Sequence, residues 1–141
     1  MKYWTTMNRG LRVVIDSSAL VAILLGEEDA PRYARAIADD AKPLISAFSV
    51  LETSIVIEAR KGEPGGRELD LLLARGDIES VPLLPDHVAL AREAWRQYGK
   101  GRHRAALNIG DCCAYALAKY AGEPLLFKGT DFGATDIQPA L

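Results

Sequence analysis

Short apolar runs rich in β-branched residues alternate along this chain with longer stretches of helical periodicity, and that alternation restricts the fold to α/β architecture around a small, mainly parallel sheet. The first strand is expected over Leu11–Ile15, ending at Asp16, with a helix from Ser18 to Leu25 stopped by Gly26. A helix over Ala30–Ala38 carries Pro31 in its first turn, where a missing N–H is harmless. Pro43–Ile45 reads as a second strand, and Ser46 is placed to cap a helix from Ala47 to Arg60. The run 61–66 reads as a turn, followed by a helix over Arg67–Arg75, a strand within Ile78–Leu84, and a helix opened by Pro85 that runs to about Tyr98. After a basic loop at 99–104, a helix around Asp111–Tyr120 ends at Gly122. Pro124–Phe127 is a buried strand, and a short closing edge strand is expected at Ile137.

With 141 residues the chain suits one hydrophobic core, so residues 11–141 are expected to form a single domain behind a leader, 1–10, that lacks periodicity and is expected to be loose. A formal net charge of −2 gives no overall attraction to nucleic acid, so a polyanion would have to be held locally. Nothing in the chain reads as a membrane span or a secretory leader, which makes a cytoplasmic location the expectation. Cys112 and Cys113, adjacent in a helical pattern, fit neither a disulfide nor a zinc or redox motif and read as small core residues.

Four carboxylates carry the chemistry. Asp16 follows three β-branched residues and stands where a parallel strand delivers its last side chain, at the sheet edge where α/β proteins bind ligands. A plain helix cap explains it equally well. Glu52 lies on the stripe formed by Phe48, Leu51, Ile55, Val56 and Ala59, expected to face the core, where a carboxylate needs a cation or a metal. Asp111 opens a helix that is apolar on nearly all faces, although the helix dipole alone favours an acid there. Asp131 follows the last strand through a Lys-Gly-Thr turn, and turn chemistry alone would account for it, as it would for Asp136. Taken together, these positions converge on one end of the sheet. Clustered like charges raise one another's pKa unless a cation intervenes, and all-oxygen donors favour Mg²⁺ or Mn²⁺. An open site of that kind is suited to phosphodiester hydrolysis.

At these same residues the sequence resembles the PIN-domain family and, within it, the VapC-like ribonuclease toxins of bacterial toxin–antitoxin pairs. The likeness runs from Val13 over nearly the whole chain. Val14-Ile15-Asp16-Ser17-Ser18 resembles the first family motif, Ser46 to Glu52 the second, Leu107-Asn108-Ile109-Gly110-Asp111 the third, and Leu126 to Phe132 the fourth. The resemblance implies a three-layer α/β/α fold and places Asp16, Glu52, Asp111 and Asp131 as metal-binding catalytic acids. Ser18, Asn108, Thr130 and Asp136 would stand around them. It also implies endoribonuclease activity on structured RNA such as tRNA or rRNA, a homodimer, and a VapB-like antitoxin partner through which alone DNA would be contacted.

The densest basic stretch, Lys100 to Arg104, precedes Asp111, so Arg102 and Arg104 are candidate phosphate contacts, with a solvated loop as the plainer reading. His87, at a helix start, reads as structural. Two rivals stay open: an aspartyl-phosphate phosphatase or receiver-like domain built on Asp16, although Asp16-Ser17-Ser18 lacks the second aspartate of a DxD motif, and a non-catalytic partner-binding module. Nucleophile-elbow, P-loop and HExxH templates are all missing.

Overall fold

A computed structural model describes residues 12–141; the expected leader and Leu11 lie outside the described residues. Strands β1 (Val14–Ile15), β2 (Leu44–Ser46), β3 (Glu79–Val81) and β4 (Leu125–Leu126) form one sheet in the order β3-β2-β1-β4. Every pairing is parallel, with Val14 opposite both Leu44 and Leu125, and Ile15 opposite Ile45 and Leu126. Successive side chains on a strand point to opposite faces, so this register divides the apolar residues into two layers. Val14, Leu44, Val81 and Leu125 pack on one face against α5 (Pro85–Tyr98) and α6 (Ile109–Ala121). Ile15, Ile45 and Leu126 pack on the other against α1 (Ser17–Leu24), α2 (Ala30–Ala38) and α4 (Glu63–Arg75). The result is the three-layer α/β/α fold.

The strands are shorter than their apolar runs. Pro82 has no N–H to donate, so the β3 ladder stops at Val81 rather than reaching Leu84. The chain end pairs beside β4 through Pro139, with Ala140 N–H donating to the Leu125 carbonyl and Leu125 N–H to that of Gln138. Ile137 itself is buried in the core.

Two expectations about the middle of the chain are corrected. Only Gly62, at φ +68°, makes the turn expected at 61–66, because α4 begins at Glu63 with Pro64 in its first turn. A Cβ on Gly65 would overlap Ile57 and Lys61, so this glycine serves close packing of α4 on α3 (Ala47–Lys61). The second correction concerns α3 itself. Leu51 and Ile55 are 57% and 61% exposed, and the buried face is Ser49, Thr53 and Ile57. A wheel weighted by hydrophobicity misses this face because two of its residues are hydroxylic. Thr53 Oγ1 donates to the Ser49 carbonyl within the helix, which lets a small polar residue sit in the interior.

Candidate active site

The chain passes from β1 to β2 and β3 on one side and returns to β4 on the other, so the carboxyl ends of β1 and β4 flank a crevice at the point where strand order reverses. Asp16 leaves β1 there and caps α1. Its Oδ2 accepts from the Ser18 N–H at 3.0 Å and from Ser18 Oγ at 2.6 Å. Oδ1 is buried with no hydrogen-bond partner, and the residue is 2% exposed. Desolvation pushes the Asp16 carboxyl up to about 7; Ser18's hydrogen bonds oppose the rise, and the nearby charges of Asp111 and Glu52 add to it.

Asp111 repeats the arrangement at the mouth of α6. Its backbone N–H donates to Asn108 Oδ1 at 2.9 Å, and its Oδ2 accepts from the Asn108 N–H at 3.0 Å, a reciprocal capping box. Burial raises the Asp111 carboxyl; the Asn108 N–H lowers it, and the charges of Asp131 and Glu52 raise it further. For both acids, then, capping and membership of an acidic cluster hold at once. One oxygen accepts at the helix terminus while the carboxylate as a whole feels its neighbours.

Glu52 is half-buried, with Oε1 accepting from Ser17 Oγ at 3.0 Å. A Cβ at position 110 would collide with the Glu52 carboxyl group, so Gly110 is what allows α6 to approach it. Ser17 and Gly110 were not singled out from the sequence. Each directly adjoins a candidate acid, which was the available signal. Asp131 is exposed at the start of a short 3₁₀ turn, Phe132–Ala134, without a side-chain cap, and its charge acts on Asp111.

The remaining candidates divide. Ser18 also accepts from the Lys128 N–H at 2.9 Å, tying the loop after β4 to the first acid. Asn108 is the α6 cap, and the exposed Thr130 offers its carbonyl to Gly133. Asp136 is drawn away from the acids: Oδ1 accepts from Tyr115 OH at 2.6 Å and Oδ2 from Lys119 Nζ at 2.8 Å. Partial burial pushes this carboxyl up, but those two donors outweigh it and leave it below the usual range. Arg102 lies with its guanidinium 4.7 Å from the Trp95 ring centre, lining a groove of 660 Å³ with Arg92, Arg96, Lys100, Asn108 and Ile109; Arg104 is exposed. That groove is mostly apolar and lies beside the carboxylates rather than on them. His87 is buried, its Nδ1 accepting from the Leu84 N–H, and both cysteines are buried free thiols, as the sequence suggested.

Among the described residues, no three His, Cys, Asp or Glu side chains form a ready-made metal cage. Mg²⁺ does not require one, because it retains several waters and takes one or two protein carboxylates directly. The donor set is all oxygen, and the partnerless Asp16 Oδ1 is an atom that such an ion would satisfy. The residues present therefore fit a hard divalent cation.

Comparison with known proteins agrees with this geometry. The PIN domain model matches residues 13–138. Ribonuclease VapC30 of Mycobacterium tuberculosis is 58% identical over 125 residues, covering 89% of this chain and 95% of the relative. Among solved structures, M. tuberculosis VapC20, a Sarcin-Ricin loop cleaving toxin, superposes with a TM-score of 0.72 at 17% identity, covering 89% of this chain and 95% of that one. VapBC2 from Rickettsia felis, bound to a DNA fragment from its promoter, gives a TM-score of 0.72 at 14% identity over 92% of this chain and 96% of that one. Acids Asp16, Glu52 and Asp111 within electrostatic reach of one another at the carboxyl end of a parallel sheet, on a fold shared with these structures, join with the match across nearly the whole sequence: the chain belongs to the PIN-domain family and, within it, to the VapC-like proteins.

Proposed function

We propose that this chain is a Mg²⁺- or Mn²⁺-dependent endoribonuclease and the toxin of a toxin–antitoxin pair. The observation that carries the reading is Asp16: a carboxylate 2% exposed, one oxygen without a partner, sharing its surroundings with Asp111 and Glu52. A buried acid beside two others is costly unless a cation joins them. Asp16 and Asp111 would hold the ion, with Glu52 and Asp131 completing the shell directly or through water. When bound, such an ion neutralises charge on the attacking water and on the scissile phosphodiester.

The chain's own residues prepare that site. Ser18 fixes Asp16 Oδ2, so that Oδ1 is the atom left to ligate. Asn108 locks Asp111, and Ser17 orients Glu52. Arg102 and Arg104 supply local positive charge that an acidic protein otherwise lacks for holding RNA phosphates. Structured RNA of the tRNA or rRNA class is the substrate in this reading, and the cytoplasm, where such RNA is found, is its location.

A homodimer belongs to the same reading and is supported by an uncovered apolar face. Leu51, Ile55 and Val56 on α3 are exposed, as are Val88 and Trp95 on α5, and Ile109 is 69% exposed at the start of α6. Apolar area of this extent is characteristic of an interface. A VapB-like antitoxin, the kind of partner named in the R. felis complex, would quench the site and carry any DNA contact.

Purified protein incubated with bulk tRNA and rRNA, with EDTA or with added Mg²⁺ or Mn²⁺, tests the proposal. Cleavage should require the metal and vanish in Asp16→Asn and Asp111→Asn. Undiminished cutting in EDTA, or by either variant, would overturn it. A phosphoacceptor or an inert binding module would cut under no condition.

A further inference from the structure

The loop that carries Asp131 is held on its far side by Phe132, buried in the core against Phe127, and on the side of the first acid by Lys128. Lys128 Nζ donates to Glu27 Oε1 at 2.7 Å and to Asp29 Oδ1 at 3.0 Å, joining segments about a hundred positions apart in the chain. The same residue's backbone N–H donates to Ser18 Oγ at 2.9 Å, and Ser18 Oγ in turn donates to Asp16 Oδ2 at 2.6 Å. Beyond Lys128 comes Gly129 at φ +106°, and then Asp131, whose side chain makes no capping hydrogen bond. Asp131 therefore sits where its backbone puts it; Phe132 ties that backbone to the core, and Lys128 ties it to the first acid.

We infer that Lys128, clasped between Glu27 and Asp29, is a positioning residue that sets Asp131 against Asp16 and Asp111 for metal binding. The inference rests on the metal-site reading above. An isolated exposed ion pair does little for a fold. This one joins the α1–α2 connection to the β4 loop directly over the first acid, so its effect falls on the relative placement of two carboxylates. Partners that orient metal-binding residues in this way typically alter metal affinity by ten- to a hundredfold when removed.

The sign of the effect separates positioning from electrostatics. Replacing Lys128 with a neutral residue removes a positive charge near the acids and frees two negative ones, so electrostatics alone would tighten cation binding. Loss of positioning would weaken it. Calorimetric titration of Mn²⁺ into the purified full chain should show Lys128→Met and Lys128→Gln binding about tenfold more weakly than the parent. Lys128→Arg, which keeps the charge and can span both carboxylates, should restore affinity. Amide hydrogen exchange of the metal-free chain supplies a second readout: Gly133 and Ala134, whose N–H groups donate to the Thr130 and Asp131 carbonyls, should lose protection in Lys128→Met. Unchanged or tighter Mn²⁺ binding by the Met and Gln variants overturns the clasp. A parent that takes up no Mn²⁺ overturns the metal reading itself, and the clasp's role with it.

Discussion

Asp16→Asn should make the metal-free protein more stable, by an amount that grows with pH. Desolvation pushes the native carboxyl up to about 7 from 3.8 when unperturbed. At about 1.4 kcal/mol per pK unit the charged form costs the fold about 4 kcal/mol. Because the folded pKa is raised, the native state holds a proton that the unfolded chain has already released. Stability from this residue is thus complete below about pH 4 and is lost as pH rises through about 7. More than half of the loss falls between about pH 5 and pH 8. Asp111, raised in the same direction, contributes a slope that both proteins share, and the lowered Asp29 and Asp136 act in the opposite sense at more acid pH. The parent–variant difference therefore reports Asp16 together with its coupling to Asp111 and Glu52. Asparagine can still accept from the Ser18 N–H, so the α1 cap survives. Urea unfolding in EDTA at about pH 5 and pH 8 should show the stability gap widening by about 2 to 3 kcal/mol in favour of the variant. Added Mn²⁺ should close it by stabilising only the parent. A gap of equal size at both pH values would refute the claim that Asp16 is a strained, desolvated acid.

Gly110→Ala should reduce RNA cleavage at least tenfold and lower stability by about 1–3 kcal/mol, since the new methyl group collides with the Glu52 carboxyl; cleavage rates and urea midpoints measure both effects. Asp136→Asn should leave metal-dependent cleavage within about twofold of the parent while costing about 1 kcal/mol in thermal unfolding, because it loses charge-assisted bonds to Lys119 and Tyr115 and no metal contact. Ile55→Asp should convert the proposed homodimer to a folded monomer, read by sedimentation velocity with an unchanged circular dichroism spectrum. Arg102→Ala should weaken RNA binding and lessen its salt dependence, followed by fluorescence anisotropy across a range of KCl concentrations.

The architecture was legible because parallel strands buried on both faces must be apolar throughout, and Val13-Val14-Ile15, Leu44-Ile45 and Leu125-Leu126 satisfy that without ambiguity. Helix starts were legible at Ser46 and Pro85, where a cap and a proline marked them, but not at Pro64, where the surrounding glycines read as a turn. What could not be read was the direction in which α3 faces. Its strongest apolar stripe is its exposed one, and only the partners chosen by α4 and α6, through Gly65 and Gly110, decide which side is buried. Glu52 was therefore singled out for a mistaken reason. It reaches the acidic crevice from a half-exposed position, led there by Ser17 and by the absence of a side chain at Gly110.

The cap reading and the site reading of Asp16 and Asp111 looked like alternatives from the sequence, and the structure makes them one arrangement. A helix N-terminus presents unpaired N–H groups and a positive dipole end, so it can hold a carboxylate in a partly desolvated crevice where another acid is already present. Ser18 and Asn108 turn that general preference into fixed orientation, each engaging Oδ2. Two acids at two helix mouths can then be brought near one another at an electrostatic cost that the dipoles reduce but do not remove, as the raised carboxyls of both residues record. In the proposed metal site that residual cost would be the driving force for cation uptake: the more the fold strains these acids when they are alone, the more tightly it should hold a divalent ion that relieves them.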